Sequence, residues 1–121
     1  MKQKSLDSRS RQKFVDHMFT RYSKAADRRG IVWKLTKEQM DMLLSRKCFY
    51  CGVEPLFKNK QRGNAGHYLY NGIDRLANHL GYFPENCVPC CGTCNIAKQD
   101  MSVHDFMKWV RRLAENLPYA D

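Results

Sequence analysis

Six cysteines in a chain of 121 residues constrain its folding more than any other feature. They lie in two runs, Cys48-Phe-Tyr-Cys51-Gly52 and Cys87-Val-Pro-Cys90-Cys91-Gly-Thr-Cys94. The opening residues, Met-Lys-Gln-Lys-Ser-Leu-Asp-Ser, are charged and contain no apolar stretch of the kind a secretory signal needs. The expected compartment is therefore intracellular and cytoplasmic, where thiols stay reduced and metal binding is a better reading than a disulfide framework. A Cys-x-x-Cys pair folds around a metal ion as a tight knuckle, and a glycine after or inside the pair lets backbone N–H groups turn toward the thiolates. Gly52 and Gly92 meet that need. Two such pairs make one tetrahedral site, predicted to hold a structural zinc ion. Cys87/Cys90 and Cys91/Cys94 both have the right spacing. A short strand predicted over residues 83–91 closes more easily into a knuckle at its end than in its middle. The expected ligands are therefore Cys48, Cys51, Cys91 and Cys94, with Cys87 and Cys90 as small buried residues.

The length fits one domain, and 43% hydrophobic with 12% aromatic residues is enough for a core, which excludes collagen-like, low-complexity and wholly disordered chains. No apolar run approaches the roughly 20 residues needed to span a bilayer, so no membrane partner is expected. Lys and Arg number 21 against 12 Asp and Glu, a formal charge of +9. A polyanion is the natural partner, with a solvated basic face kept for solubility as the plainer alternative. Basic residues gather between 2 and 29, at Lys58, Lys60 and Arg62, and at Arg111 and Arg112.

Periodicity divides the chain into a basic, flexible tail over 1–8 and a single domain over 9–121. From Arg9 to Arg29 the apolar positions Phe14, Val15, Met18, Phe19, Tyr22, Ala25 and Ala26 recur at helical spacing, and Gly30 reads as the residue that ends the helix. Ile31 to Leu35 reads as extended. Thr36 with Gln39 reads as a capping box opening a second helix. Residues 54–66 are polar and glycine-bearing, a predicted loop. A strand over 67–75, a turn through Asn78, His79 and Gly81, and the strand over 83–91 make a hairpin with a long tip. A short helix begins around Asn95 to Lys98, and Ser102 caps a last helix bearing Phe106, Trp109, Val110 and Leu113. Trp33 and Trp109 sit within apolar patterns and read as core residues.

The run Asn71-Gly-Ile-Asp74-Arg75-Leu, followed by Gly81-Tyr and by Asn86-Cys-Val-Pro-Cys-Cys91-Gly-Thr-Cys94-Asn95-Ile-Ala-Lys98, resembles the HNH, or His-Me finger, endonucleases, in the zinc-binding form often found in phage genomes. Over about Cys48 to Lys98 the resemblance implies an α+β fold. Two antiparallel strands and a helix form a ββα-metal finger that holds one catalytic divalent ion. A four-cysteine zinc site staples this core of about 48–100, and N- and C-terminal helices flank it. By the same resemblance Asp74 is the metal-binding aspartate, Asn95 the second metal ligand and Asn86 the central asparagine that fixes the hairpin loop. The usual motif reads Asp-His where this chain has Asp74-Arg75. In family members with Asp-Arg the arginine suits the scissile phosphate, and another residue must activate the nucleophile.

Carboxylate and amide oxygens suit a hard ion, Mg²⁺ or Mn²⁺, while zinc prefers the thiolates. Such an ion stabilises charge developing at the phosphorus and on the leaving oxygen. Arg75 offers the phosphate a planar fork of donors. Candidates for the general base are His67, His79, Tyr68 and Tyr70. Strand alternation puts Tyr68, Tyr70 and Asp74 on one face and His67 with Arg75 on the other, which favours Tyr70. His79 lies at the hairpin tip, and imidazole is the side chain whose free form suits a base near neutral pH. Lys98, Lys58, Lys60 and Arg62 are further candidates for DNA backbone contact. The expected function is metal-dependent hydrolysis of DNA phosphodiesters, by nicking or double-strand cleavage, with a homodimer as one way of placing two sites on a duplex. The rival from another class is a catalytically inactive zinc-ribbon protein that binds nucleic acid.

Overall fold

The computed structural model describes residues 2–60 and 67–118, and for residues 2–7, 57–60 and 67 the backbone alone. Its elements are helix α1 (Lys2–Arg28), helix α2 (Lys37–Ser45), strands β1 (Phe57–Lys60), β2 (His67–Tyr70) and β3 (Gly72–Arg75), a 3₁₀ turn (Pro84–Asn86), strand β4 (Cys87–Cys90), and helices α3 (Gly92–Lys98) and α4 (Val103–Asn116). Strands β1 and β2 pair antiparallel with Phe57 opposite Tyr70, and β3 pairs antiparallel with β4, Gly72 opposite Cys90 and Arg75 opposite Cys87. The fold is α+β, and β3, β4 and α3 make a ββα unit that the other helices surround.

Helix α1 buries Phe14, Val15, Met18 and Ala26, the stripe expected from its spacing. The helical backbone begins at Lys2, so the boundary predicted at Arg9 moves forward and the segment expected as a tail joins the helix. Gly30 ends it at φ +69°; its N–H donates to Asp27 O and that of Ile31 to Ala26 O, the paired bonds of a Schellman cap. The chain then runs extended, and Val32 and Lys34 exchange backbone bonds of 2.8 Å with Tyr82. This approach requires Gly81, because a Cβ there would come within 2.5 Å of Val32 O. At the start of α2, the Thr36 hydroxyl accepts from Gln39 N and the Gln39 side chain accepts from Thr36 N. Met40 and Leu44 of α2 join Phe14, Met18, Leu35, Ile73 and Tyr82 in one core between the helices and the β3–β4 ribbon. Cys87 and Cys90 are buried in or beside it, as expected.

The structure corrects the sequence reading of the strands in three places. Residues 57–60, expected in a loop, form a strand against β2, and the strand expected over 67–75 is two strands in two different sheets. The break is Asn71. Its N–H donates to Leu44 O at 2.9 Å, and its fully buried amide donates to Arg46 O at 2.8 Å and Val53 O at 3.4 Å. The chain thus leaves the β1 partner, satisfies carbonyls at the end of α2 and beyond the first knuckle, and takes up β4. Strand β4 is also shorter than expected, because Pro84 opens a 3₁₀ turn that occupies residues 84–86. Among the described residues no helix is long and apolar enough to cross a membrane.

Replacing Asn71 with alanine leaves these buried carbonyls unpaired and opens a void. The zinc-loaded variant is expected to lose about 2–3 kcal/mol of unfolding free energy, read from urea denaturation against the unsubstituted protein.

Candidate metal centres and cleft

The Sγ atoms of Cys48, Cys51, Cys91 and Cys94 all lie within 4.8 Å of one another. Thiolates around one tetrahedral ion at about 2.3 Å stand about 3.8 Å apart. The Cys51–Cys91 separation of 3.7 Å fits that arrangement, so these four thiols are positioned to hold one metal ion. The choice of Cys91/Cys94 over Cys87/Cys90 follows from local geometry. Cys91 is the N-cap of α3, with its sulfur accepting from Cys94 N, whereas Cys87 and Cys90 are the two ends of β4. The first knuckle turns through Gly52 at φ +79° and hooks onto β4 by a bond from Phe49 N to Pro89 O. Burial raises the Cys48 thiol, but hydrogen bonding at the backbone of Cys51, Cys91 and Tyr50 outweighs it and pulls the pKa down to about 6. A thiol so disposed gives up its proton readily to a metal.

Next to this cluster an open cleft of about 590 Å³ is lined by Asp74, Arg75, Asn95, Tyr22, Arg29 and Tyr82, among others. Asp74 is buried on β3. Its Oδ2 accepts from the Tyr50 hydroxyl at 2.6 Å and lies 3.2 Å from the Lys98 ammonium; its Oδ1 accepts no hydrogen bond from any described residue. Asn95, one residue beyond the thiol of Cys94, lines the same cleft from α3. Asp74 and Asn95 thus line one space, and a carboxylate with an amide is a donor set that fits a hard divalent cation. Arg75 donates from Nη1 to Asn78 O and Leu80 O at 2.8 Å each and stacks over Tyr82, its guanidinium carbon 5.3 Å from the ring centroid. Half of its fork anchors the turn, and the rest remains for the cleft.

Asn86 clasps that turn. Its Oδ1 accepts from Ala77 N at 2.9 Å, and its Nδ2 donates to Ala77 O at 3.1 Å and Gly81 O at 2.9 Å. His79 is exposed in the turn and does not line the cleft. Tyr68 stacks on Phe14 at 5.0 Å and Tyr70 meets it tilted at 5.6 Å, both against the core and neither lining the cleft. The break at Asn71 separates β2 from β3, so the alternation that tied Tyr70 to Asp74 does not carry across it. Lys98, expected at a phosphate, is completely buried against Asp74. Lys58 and Lys60 lie on β1 with side chains outside the description; Arg62 and its neighbours lie outside the described residues, and the backbone alone is described at His67.

Sequence reasoning missed Tyr50. Burial first, and then its hydrogen bond to Asp74, push its pKa far up, so it is a neutral phenol donating to a carboxylate. The available signal was its place inside the first Cys-x-x-Cys pair, which carries the residue there up to Asp74 on β3.

No family model matches the chain. The protein R423 of Acanthamoeba polyphaga mimivirus, itself uncharacterised, is 32% identical over 101 residues; the match covers 84% of this chain and 17% of the mimivirus protein, so the chain spans a small part of that relative. Among solved structures, the rare-cutting HNH restriction endonuclease PacI matches with a TM-score of 0.60 at 23% identity, over 84% of this chain and 77% of PacI. The chain therefore has an HNH-like fold.

Tyr22 crosses from α1 toward β3 at the cleft wall, and burial pushes its pKa up to about 12, with Tyr70 adding to the shift and the backbone of Ile73 opposing it. A raised folded-state value means that this stability is complete below the unfolded value of about 10 and is lost as pH rises toward the folded one. Denaturation midpoints should fall between about pH 10 and 12, and Tyr22→Phe should flatten that part of the profile.

Proposed function

We propose that this domain is a metal-dependent DNA endonuclease that hydrolyses phosphodiester bonds, stapled by zinc at Cys48, Cys51, Cys91 and Cys94. The observation that carries the reading is a buried aspartate with one oxygen held by the protein and the other unengaged, facing Asn95 and two arginines in one cleft of a strongly basic chain. The HNH-like fold shared with PacI supports it.

In this reading Asp74 Oδ1 and the Asn95 amide oxygen hold one Mg²⁺ or Mn²⁺. Bound there, the ion supplies Lewis-acid stabilisation of charge on the phosphate and the leaving oxygen. The free edge of the Arg75 guanidinium grips the scissile phosphate, and Arg29 takes a neighbouring one. Asn86 and Arg75 together keep the turn over 76–81 in shape, which holds the phosphate-facing edge of Arg75 in place. Tyr50 donates to Asp74 Oδ2 from behind the cleft, and we assign to it the positioning of that carboxylate. The basic α1 grips the backbone, so binding weakens steeply with salt.

The test is supercoiled plasmid incubated with zinc-loaded protein in EDTA, Mg²⁺ or Mn²⁺, beside Asp74→Ala and Asn95→Ala. Nicked or linear product is expected only with the divalent ion, falling about 100-fold or more in either variant. Binding without cleavage in every metal would instead identify a zinc-ribbon nucleic-acid-binding protein that has lost catalysis, a reading favoured by Lys98 standing where a cation would compensate Asp74. For the staple, elemental analysis should return one zinc per chain, and a strong chelator should abolish the cooperative melt.

A further inference from the structure

Lysine is almost never fully buried unless it is paired, and Lys98 has no exposed side-chain surface. It is the last residue of α3, three positions after Asn95 and four after Cys94, on the helix face that these residues share. Its ammonium stands 3.2 Å from Asp74 Oδ2 but off the hydrogen-bond line, so among the described residues its N–H groups have no hydrogen-bond partner. A methionine would fill the same space without an ammionium to desolvate. The ammonium, by charge alone, and the Tyr50 phenol, by a hydrogen bond, converge on one oxygen of the carboxylate.

We infer that Lys98 is a positioning residue: with Tyr50 it holds Oδ2 inside the protein, so that Asp74 offers the cleft a single oxygen, and its buried charge limits how tightly a divalent cation is held there. The inference deepens, and rests on, the reading of Asp74 as the cation's ligand. A carboxylate that turns both oxygens to an ion chelates it; one with Oδ2 engaged binds through Oδ1 alone and leaves the ion more positions for water and phosphate oxygens. A fixed positive charge a few ångströms away opposes a cation at the same carboxylate. Lys98 therefore exchanges cation affinity for a fixed, open arrangement, and does so without touching DNA.

The experiment measures Mn²⁺ binding to the zinc-loaded full chain without DNA, by electron paramagnetic resonance of the free ion, and plasmid nicking in parallel. Lys98→Met is expected to bind Mn²⁺ about fivefold or more tighter, because the opposing charge is gone. Its kcat should fall about tenfold or more, with KM for DNA unchanged, because Oδ2 is then held by Tyr50 alone. Lys98→Arg, which keeps the charge, should hold Mn²⁺ within about twofold of the unsubstituted protein. Zinc content and melting report on the fold. If Lys98→Met fails to melt cooperatively, Lys98→Gln, whose amide can still donate, carries the same affinity test. Mn²⁺ affinity that is unchanged or weaker in the folded neutral variant overturns the inference, since a merely structural lysine lowers affinity and turnover together. An unsubstituted protein that binds no Mn²⁺, or an Asp74→Ala variant that binds it equally well, overturns the reading of Asp74 beneath it.

Discussion

Four sulfurs drawn within 4.8 Å of one another tie the first knuckle to the start of α3, and the cleft depends on that tie. Helix α3 has seven residues, too few to persist on its own in water. Its first turn contains Cys94, and Cys91 caps it. The cleft draws Asp74 from β3, Asn95 from α3 and, behind the aspartate, Tyr50 from the knuckle. Two of those three elements, the knuckle and α3, carry the cysteines of the cluster. The third, β3, meets it through β4, whose Pro89 carbonyl receives the knuckle's Phe49 N–H. A chain of this size has a small core, and a metal cross-link beside the cleft would supply rigidity that packing does not.

Two buried amides complete the scaffold at opposite ends of the β3–β4 ribbon. Asn71, just before β3, serves carbonyls at the ends of α2 and the knuckle, and Asn86, just before β4, closes the turn that links the two strands. Both stand where the chain leaves regular pairing and backbone groups would otherwise be buried without partners. An amide suits such places because it donates and accepts from one planar group. Asn86 uses both capacities, with three bonds to Ala77 and Gly81. Asn71 uses only the donors, and its Oδ1 is buried without a described partner. At the far edge of the same cleft Gln99 ends α3 at φ +50°, a strained conformation for a side chain with a Cβ.

The parts of this fold that were legible in sequence are those governed by short spacings. The knuckles, the capping box at Thr36, the Gly30 terminus, the Ser102 cap and the apolar stripe of α1 each depend on residues within about one or two helical turns of one another. Strand β1 was not legible, because Phe57–Lys60 takes its order from pairing with His67–Tyr70 and not from any alternation of its own. The division at Asn71 was hidden for a related reason: alternation reads the same through a residue that changes sheets, so Tyr70 was assigned to the wrong surroundings. Asp74, Asn86 and Asn95 were named from the motif, and the structure brings Asp74 and Asn95 to one cleft. Tyr50 and Lys98 were missed or misassigned because their roles come from burial, which a hydrophilic residue type conceals.

The charge balance at Asp74 relates these features to one another. A carboxylate, an ammonium and a neutral phenol sum to zero in a partly buried space, so the arrangement is tolerable without a cation. A divalent cation at Oδ1, on the proposed reading, turns that balance into an excess of positive charge beside Arg75 and Arg29. The excess is what a phosphodiester neutralises. Cation and DNA then favour each other's binding, and by linkage each must do so to the same degree. A site built with its own internal cation therefore holds the metal weakly alone and firmly with substrate. On the proposed reading, that ordering confines the assembled reactive arrangement to the complex in which the phosphate is already in place.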